Sequence, residues 1–248
     1  MISAVILTKN EEKNILKCIN SLKFCDEIIV IDDDSEDKTV EIAKKIGANV
    51  FIHSLDNDFS KQRNFGLNKA SGEWVLFIDA DEQVPSSLRE DIIQSINNPI
   101  NKYDGFYIKR KDIMWGRELK YGEAGNIKLL RLARKDSGKW IGKVHEVWKM
   151  NGKTKDLNNP IVHYPHQSIS EFLQEINFYT DLRAKELFEA GKKVNSLSIL
   201  LYPKLKFVVN YFIKFGFMDR IPGFIYAIMM SLHSFLVRGK LWLLWQKK

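Results

Sequence analysis

The sequence predicts an α/β fold around a largely parallel sheet, on three observations. Short apolar runs alternate with amphipathic stretches over residues 1 to about 100, the pattern of successive βαβ units. Two of those runs stop abruptly on acid clusters, in EIIVIDDDSED (27–37) and WVLFIDADE (74–82). The chain is 248 residues long with no repeat or low-complexity linker, enough for one sizeable core plus an appendage.

Taken in order, Ala4 to Leu7 reads as the first strand, ending in Thr8, Lys9 and Asn10. No GxGxxG follows it, which argues against a nicotinamide-binding Rossmann domain. Ile15, Leu16, Ile19 and Leu22 then mark one face of a helix, and Ile28 to Ile31 the second strand. A second helix carries Val40, Ala43 and Ile46 and closes at Gly47, a natural residue for a left-handed helix end. Val50 to Ile52 and Trp74 to Ile78 are further strands, and a helix after Val84 has Pro85 near its first turn with Leu88, Ile92 and Ile96 along one face. Beyond it, residues 103–162 read as a mainly β section with strands at Gly105 to Arg110, Ile127 to Leu132 and Val144 to Lys149. The expected division is 1–102 as a βαβ half, 103–190 as the second half of the same domain, and 191–248 as a basic, aromatic helical tail.

In open α/β sheets ligands bind beyond the carboxyl ends of the strands, so two strands ending in Asp clusters point to one shared site. Asp79 and Asp81 flank the small Ala80, and both carboxylates can approach one hard cation, Mg2+ or Mn2+. Standing alone, the same pattern also describes a solvated turn. Asp32 and Asp33 are read as nucleotide contacts, with Asp34 or Ser35 capping the following helix.

Four segments in this order, AVILTKNEE, IVIDDDSED, KQRNFGLNKASGEWVLFIDADE and KWIGKVHE, resemble the family 2 glycosyltransferases of GT-A fold, and within them the lipopolysaccharide core β-glucosyltransferases. The resemblance implies a mixed Rossmann-like sheet with C-terminal amphipathic helices, and transfer with inversion at the anomeric carbon. It implies a nucleotide-sugar donor, with uracil as the base, held by Thr8, Asn10, Glu11, Asp32, Asp33, Arg63, Asn64, Asp79 and Ala80. Asp81 becomes the main metal ligand, Asp79 a secondary one and His145 a further candidate. Asn126 and Ile127 stand where related enzymes often carry Pro-Asp, just before the strand bearing Arg131, a departure on the acceptor side.

Glycosyl transfer leaves a diphosphate with growing negative charge, which a cation stabilises, and the acceptor hydroxyl must lose a proton to a positioned base. Glu146, in WIGKVHEVW, is the candidate base; the structural alternative is a Glu paired with a nearby Lys. His145 is read as a metal ligand, a diphosphate contact or an orienting side chain, the latter two ahead of ligation. His163 and His166, in VHYPHQS, lack a third ligand with zinc-like spacing and are assigned no metal. His53 and His233 read as structural.

After Gly191 ten Lys and Arg residues face Asp219 alone, so the overall charge of +7 comes from the C-terminus. These cations interrupt long apolar, aromatic stretches rather than scattered stacking platforms, which favours an anionic membrane surface over nucleic acid. The uncharged run Ile221 to Val237 is shorter than the ~20 residues of a usual span, so monotopic association is expected, with a short or re-entrant insertion and helices simply packed on the catalytic domain as rivals. Met1 opens directly on a strand pattern and Cys18 and Cys25 make no disulfide scaffold, so no signal peptide and a cytoplasmic site on the inner face of a membrane are expected. The expected function is a metal-dependent hexosyltransferase acting on a membrane-associated glycan or lipid, such as a lipopolysaccharide core. Polyprenyl-phosphate or peptide acceptors are alternatives; a haloacid-dehalogenase-type phosphohydrolase and a non-catalytic adaptor are the competing classes.

Overall fold

The computed structural model describes residues 1–98, 100, 102–143 and 146–247. The chain forms two compact units, Met1–Arg110 with Lys128–His163, and Lys111–Ile127 with Tyr164–Lys248. The second unit takes a segment from the middle of the β section as well as the C-terminal helices.

In the first unit, β1 (Ile2–Thr8), α1 (Ile15–Ser21), β2 (Glu27–Asp32), α2 (Thr39–Lys45), β3 (Asn49–Ile52), α3 (Phe59–Lys69), β4 (Trp74–Asp79), β5 (Glu82–Gln83), α4 (Ser86–Asn97) and β6 (Gly105–Met114) follow in order. Past β7 (Arg117–Glu118), which belongs to the second unit, come β8 (Lys128–Arg134), β9 (Gly138–Ile141), β10 (Val147–Met150), β11 (Thr154–Asp156) and β12 (Ile161–His163). The sheet runs β3-β2-β1-β4-β8-β6, with β12 and β5 beyond β6. Its first four strands are parallel, whereas β8 is antiparallel to both β4 and β6. This is the mixed α/β sheet expected from the sequence.

The apolar runs are continuous because the sheet is covered on both faces. Along β1, Ala4 and Ile6 pack with α1 and α4 residues such as Ile15 and Ile92, while Val5 and Leu7 pack on the other face with Leu67, Trp140 and Trp148. Truncating a fully buried member such as Ile6 to Ala would cost about 2–5 kcal/mol. Cys18 rather than Leu16 completes the buried face of α1, Leu16 being exposed. Gly47 ends α2 with φ +88°, as its position suggested. Neither Asp34 nor Ser35 caps α2: Asp37 accepts from Thr39 N at 2.9 Å, while Ser35 N and Oγ donate to Asp32.

Helix α3 was not legible from apolar periodicity, since its buried face includes Ser60, Gln62 and Arg63. Its start is set by Asp58, whose side chain accepts from Lys61 N at 3.0 Å. The helix lies so close to the sheet that a Cβ on Gly66 would stand 2.5 Å from Val5 Cγ1. The short strands β5, β9, β11 and β12 also escaped the reading, being too brief to show alternation.

In the second unit the end of β6 forms a hairpin with β7, Ile113 opposite Glu118, and helices α5 (Ile169–Glu189), α6 (Ser196–Val208) and α7 (Arg220–Gln246) follow. Ser168 and Glu171 close a reciprocal capping box at the start of α5, and Asn195 with Ser198 does so for α6. Phe172, Ile176, Met114, Leu119 and Met229 form its core. Helix α7 is continuous over 27 residues, longer than the uncharged run implied. Pro222 and Gly223 fall in its first turn, where a missing N–H costs little, and Arg238 and Lys240 are accommodated within it. By length and composition alone, the stretch Gly216–Gln246 is sufficient to cross a membrane.

Candidate active site

The parallel register brings the acid clusters together: Thr8 lies opposite Asp32 and Leu7 opposite Asp79, so β1, β2 and β4 end side by side. Thr8 Oγ1 is buried without a hydrogen-bond partner, an unsatisfied group at this edge. Asp32 is fully buried and accepts from Ser35 N (2.8 Å) and Oγ (2.6 Å). Asp33 accepts from Leu55 N and Lys9 Nζ, both at 2.8 Å. Asn10, at φ 54°, donates its N–H to Ser35 Oγ and accepts from Glu36 N–H at Oδ1, while Glu11 N–H donates to Thr39 Oγ1 at 2.7 Å. Thus the loop after β1 is tied to the loop after β2.

At the end of β4, Asp79 is enclosed by two guanidinium groups. Arg131 Nη2 donates to Oδ2 at 2.5 Å and Arg63 Nη2 to Oδ1 at 3.0 Å. Burial alone would push this carboxyl up, but Arg131 and then Arg63 hold it far below the usual carboxylate range. Each carboxylate oxygen of Asp79 thus accepts from one of these cations, and its side chain remains 30% exposed. The same turn is braced by Glu82, completely buried, which accepts from Asp79 N (2.9 Å) and Arg131 Nη2 (3.0 Å). Burial pushes the Glu82 carboxyl up, Arg131 opposing and the Asp79 charge reinforcing the shift. Buried Ala80 N–H donates to Leu7 O at 3.3 Å and leaves the turn uncrowded between the two acids.

Asp81 points elsewhere, to His163 Nε2 at 3.0 Å. The contact follows from register, because β12 pairs with β5 so that His163 stands opposite Glu82, next in sequence to Asp81. Burial would raise the Asp81 carboxyl, but His163 outweighs it and lowers it. Spacing in sequence offered no sign of this pair: more than eighty residues separate its members. Among the described residues no three His, Cys, Asp or Glu side chains cluster around one point. Among the described residues Asp81 and His163 could therefore offer two protein ligands, which fits a Mg2+ or Mn2+ ion that completes its shell with water and diphosphate oxygens. An imidazole in the pair suits Mn2+ better than Mg2+. The other candidate ligand, His145, lies outside the described residues.

Glu146 meets Arg63, not a lysine: Arg63 Nε donates to Glu146 Oε1 at 2.6 Å. That guanidinium lies on the Trp140 ring, 4.7 Å from its centroid, and Trp140, Trp148 and Phe77 form an aromatic wall with centroids 5.0–5.4 Å apart. Arg63 Nη1 is buried with no acceptor, a spare donor beside two acids. Asn64 uses both ends of its amide on Trp140, Nδ2 to O at 2.8 Å and Oδ1 from N at 2.9 Å, and so fastens α3 to β9. His166 is stacked on Phe172 with centroids 4.2 Å apart, and His53 on Phe65 at 4.1 Å.

The arrangement is a buried relay of alternating charge, Glu146–Arg63–Asp79–Arg131–Glu82, with Asp81 and His163 beside it. A solved structure of S. aureus TarS (residues 1–349) in complex with UDP-GlcNAc aligns over 100% of this chain and 92% of its own at 17% identity, with a TM-score of 0.49. An uncharacterised glycosyltransferase of Rickettsia typhi is 32% identical over 97% of this chain and 86% of its own length. The lipopolysaccharide core biosynthesis glycosyltransferase LpsC of Rhizobium meliloti is 27% identical over 97% of this chain and 92% of its own. The family model for glycosyl transferase family 2 matches residues 3–149, the segment that supplies every acid and arginine of the relay, and the chain belongs to that family.

Proposed function

We propose that this family 2 enzyme is an inverting, divalent-cation-dependent hexosyltransferase that uses a UDP-sugar and acts on a membrane-associated glycan or lipid, such as a lipopolysaccharide core. The observation that carries this reading is Arg63 held between Glu146 and Asp79, next to the Asp81–His163 pair. That cluster supports reading Glu146 as the base, Arg63 as a cationic donor for diphosphate oxygens, and Asp81 with His163 as a two-ligand cation site. LpsC, a relative of nearly the same length, supports the acceptor class by its name.

In this mechanism Asp32 and Asp33 receive the uracil and ribose at the ends of β2, with Thr8, Asn10 and Glu11 forming the adjoining rim. Asp81 and His163 hold the cation. A bound cation supplies Lewis-acid stabilisation of the departing diphosphate. The spare Nη1 of Arg63 adds a hydrogen bond to the same developing charge. Glu146 accepts the proton of the acceptor hydroxyl as it attacks the anomeric carbon from the face opposite the diphosphate. The aromatic wall of Trp140 and Trp148 limits water around that carboxylate.

The C-terminal basic and aromatic tail supports peripheral attachment to the cytoplasmic face of a membrane. Family membership removes the phosphohydrolase reading, and the retained acids weigh against a non-catalytic adaptor. Titrating UDP-, GDP- and dTDP-sugars calorimetrically, with and without Mn2+, tests the proposal alongside Asp81→Ala. Manganese-dependent binding of a UDP-sugar, lost in the variant, is expected; equal binding without metal, or of no donor by folded protein, would refute it. A panel of core oligosaccharide, polyprenyl phosphate and peptide acceptors then separates the acceptor classes.

A further inference from the structure

The second unit carries an apolar cap that its own packing does not explain. Between α6 and α7 the chain makes a π-helical turn, Val209–Ile213, and a 3-10 turn, Gly216–Asp219. Phe212, Ile213, Phe215, Phe217, Met218 and Ile221 are all exposed there, Ile213 by 64% and Ile221 by 72%. Several of the rings touch one another, Phe215 against Phe217 at 6.1 Å and Tyr211 against Phe212 at 5.1 Å, so the surface is contiguous.

The cap is held from beneath by polar groups. Asn210 and Asp219 are buried, and their side-chain oxygens accept from Glu123 N and Tyr121 N, both at 2.9 Å. Gly122 N adds a bond to Lys214 O at 2.9 Å. Phe215 and Arg220 adopt φ 58° and 57°, a region that bulky side chains seldom occupy, so the turn is a built shape and not a frayed end.

Two features decide what covers it. The cap is flanked by Lys214 and Arg220, with Lys204 and Lys206 on the preceding helix; Glu123 pairs with Lys206 at 2.5 Å and Lys214 at 3.8 Å, so cations still outnumber this acid, while the one acid of the turn, Asp219, is buried and bonded inward. A second copy docked by two-fold symmetry would set like charge against like, whereas anionic headgroups complement it. The second feature limits depth. The later half of α7 is tied to α5, a helix carrying seven charged side chains: Lys240 Nζ donates to Asn177 O and Thr180 Oγ1 and pairs with Asp181 at 2.9 Å. Trp245 Nε1 donates to Lys192 O at 2.8 Å. Driving α7 through a bilayer would carry that charged partner into hydrocarbon.

We propose that the turn at 209–221 is a wedge that inserts into the interfacial layer of an anionic lipid bilayer, with Lys214 and Arg220 remaining among the headgroups. It rests on the peripheral-membrane reading above and specifies its contact. Insertion of this kind reaches about 5–10 Å, into the boundary between headgroups and acyl chains.

The test is sedimentation of the full chain with phosphatidylcholine vesicles, with and without phosphatidylglycerol, at low and high salt. The protein should bind the anionic vesicles in a salt-sensitive way. The double variant Ile213→Glu with Phe215→Glu should lose partitioning by roughly tenfold or more. Ile221→Glu, on the other side of the turn, should do the same, and both variants should keep wild-type circular dichroism and UDP-sugar binding. Failure of the wild-type chain to bind any vesicle would overturn the wedge and the membrane reading together. Wild-type binding by both folded variants would overturn the wedge alone. Resistance of wild-type protein to alkaline carbonate extraction would mean a span and also overturn it. So would loss of self-association in the variants without loss of vesicle binding, which would assign the cap to a second copy.

Discussion

Replacing Arg131 with Met removes the guanidinium that Asp79 and Glu82 share while keeping most of its volume. The Arg131 side chain is 4% exposed and donates to Asp79 Oδ2 at 2.5 Å and Glu82 Oε1 at 3.0 Å. The substitution strands two neighbouring carboxylates, one fully buried, and breaking such a pair costs about 3–5 kcal/mol. That is a large share of the ~5–15 kcal/mol by which a domain is stable. Part of the cost is relieved by protonating Glu82, whose carboxyl burial already pushes up. An acid with a folded pKa above its unfolded value binds its proton more tightly when folded. The deficit of the variant is therefore greatest above that folded pKa and shrinks as pH falls through it toward the unfolded value of ~4.3. Asp79 behaves oppositely in the wild type: held low, it contributes stability above its unfolded value of ~3.9 that is lost only as the medium turns more acidic. Urea denaturation from pH 7 to pH 5 should thus show a variant whose midpoint rises toward pH 5 more steeply than that of the wild type, in which Arg131 opposes the same shift. Adding Glu82→Gln to the variant should recover part of the loss and flatten its profile. A deficit below ~1 kcal/mol, or one independent of pH in both backgrounds, would refute the reasoning.

Other expectations concern the remaining groups of the cluster. Glu146→Gln should leave UDP-sugar affinity within about threefold and lower turnover by ~10²–10⁴-fold, the range of a lost general base; unchanged turnover in a coupled UDP-release assay removes Glu146 from that role. His163→Ala should weaken Mn2+-dependent donor binding by ~10-fold or more and Mg2+-dependent binding less, measured by calorimetry; equal losses with both ions would argue against direct ligation. Burial pushes the Cys25 thiol up to about 12, with Asp26 adding to it, and drives Cys18 well above its ordinary value too. Neither should react with a disulfide reagent at neutral pH until urea unfolds the chain, and rapid labelling of the native protein would contradict their placement.

The parallel half of the fold was legible because its strands are buried on both faces and read as uninterrupted apolar runs, while α1, α2 and α4 show spaced apolar faces. Helix α3 was hidden because its inward residues are the polar ones that build the site. The acids of the strand ends were visible for the same reason: a charge directly after a buried run is conspicuous. Their division of labour was not. Nothing in the spacing of Asp79 and Asp81 distinguishes a carboxylate bonded to Arg63 and Arg131 from one facing His163; antiparallel pairing of β12 with β5 makes that distinction. The tail announced its charge and aromatic content, but the turn at 209–221 depends on Asn210 and Asp219 reaching back to residues 121–123, a contact between distant parts of the chain.

Gly66 sets the standoff between α3 and the sheet. A single methyl there would collide with Val5 Cγ1 at 2.5 Å and crowd Ile31 Cγ1 at 3.2 Å. Arg63 lies three residues earlier, on nearly the same side of α3, and its guanidinium must reach Asp79 and Glu146 at once. Lifting the helix by even one ångström would stretch both salt links beyond hydrogen-bonding length, while Asn64 would drag β9 along with it. The missing side chain works as a spacer of zero thickness, so the tolerances of the Glu146–Arg63–Asp79 contacts are fixed by an atom that the sequence leaves out.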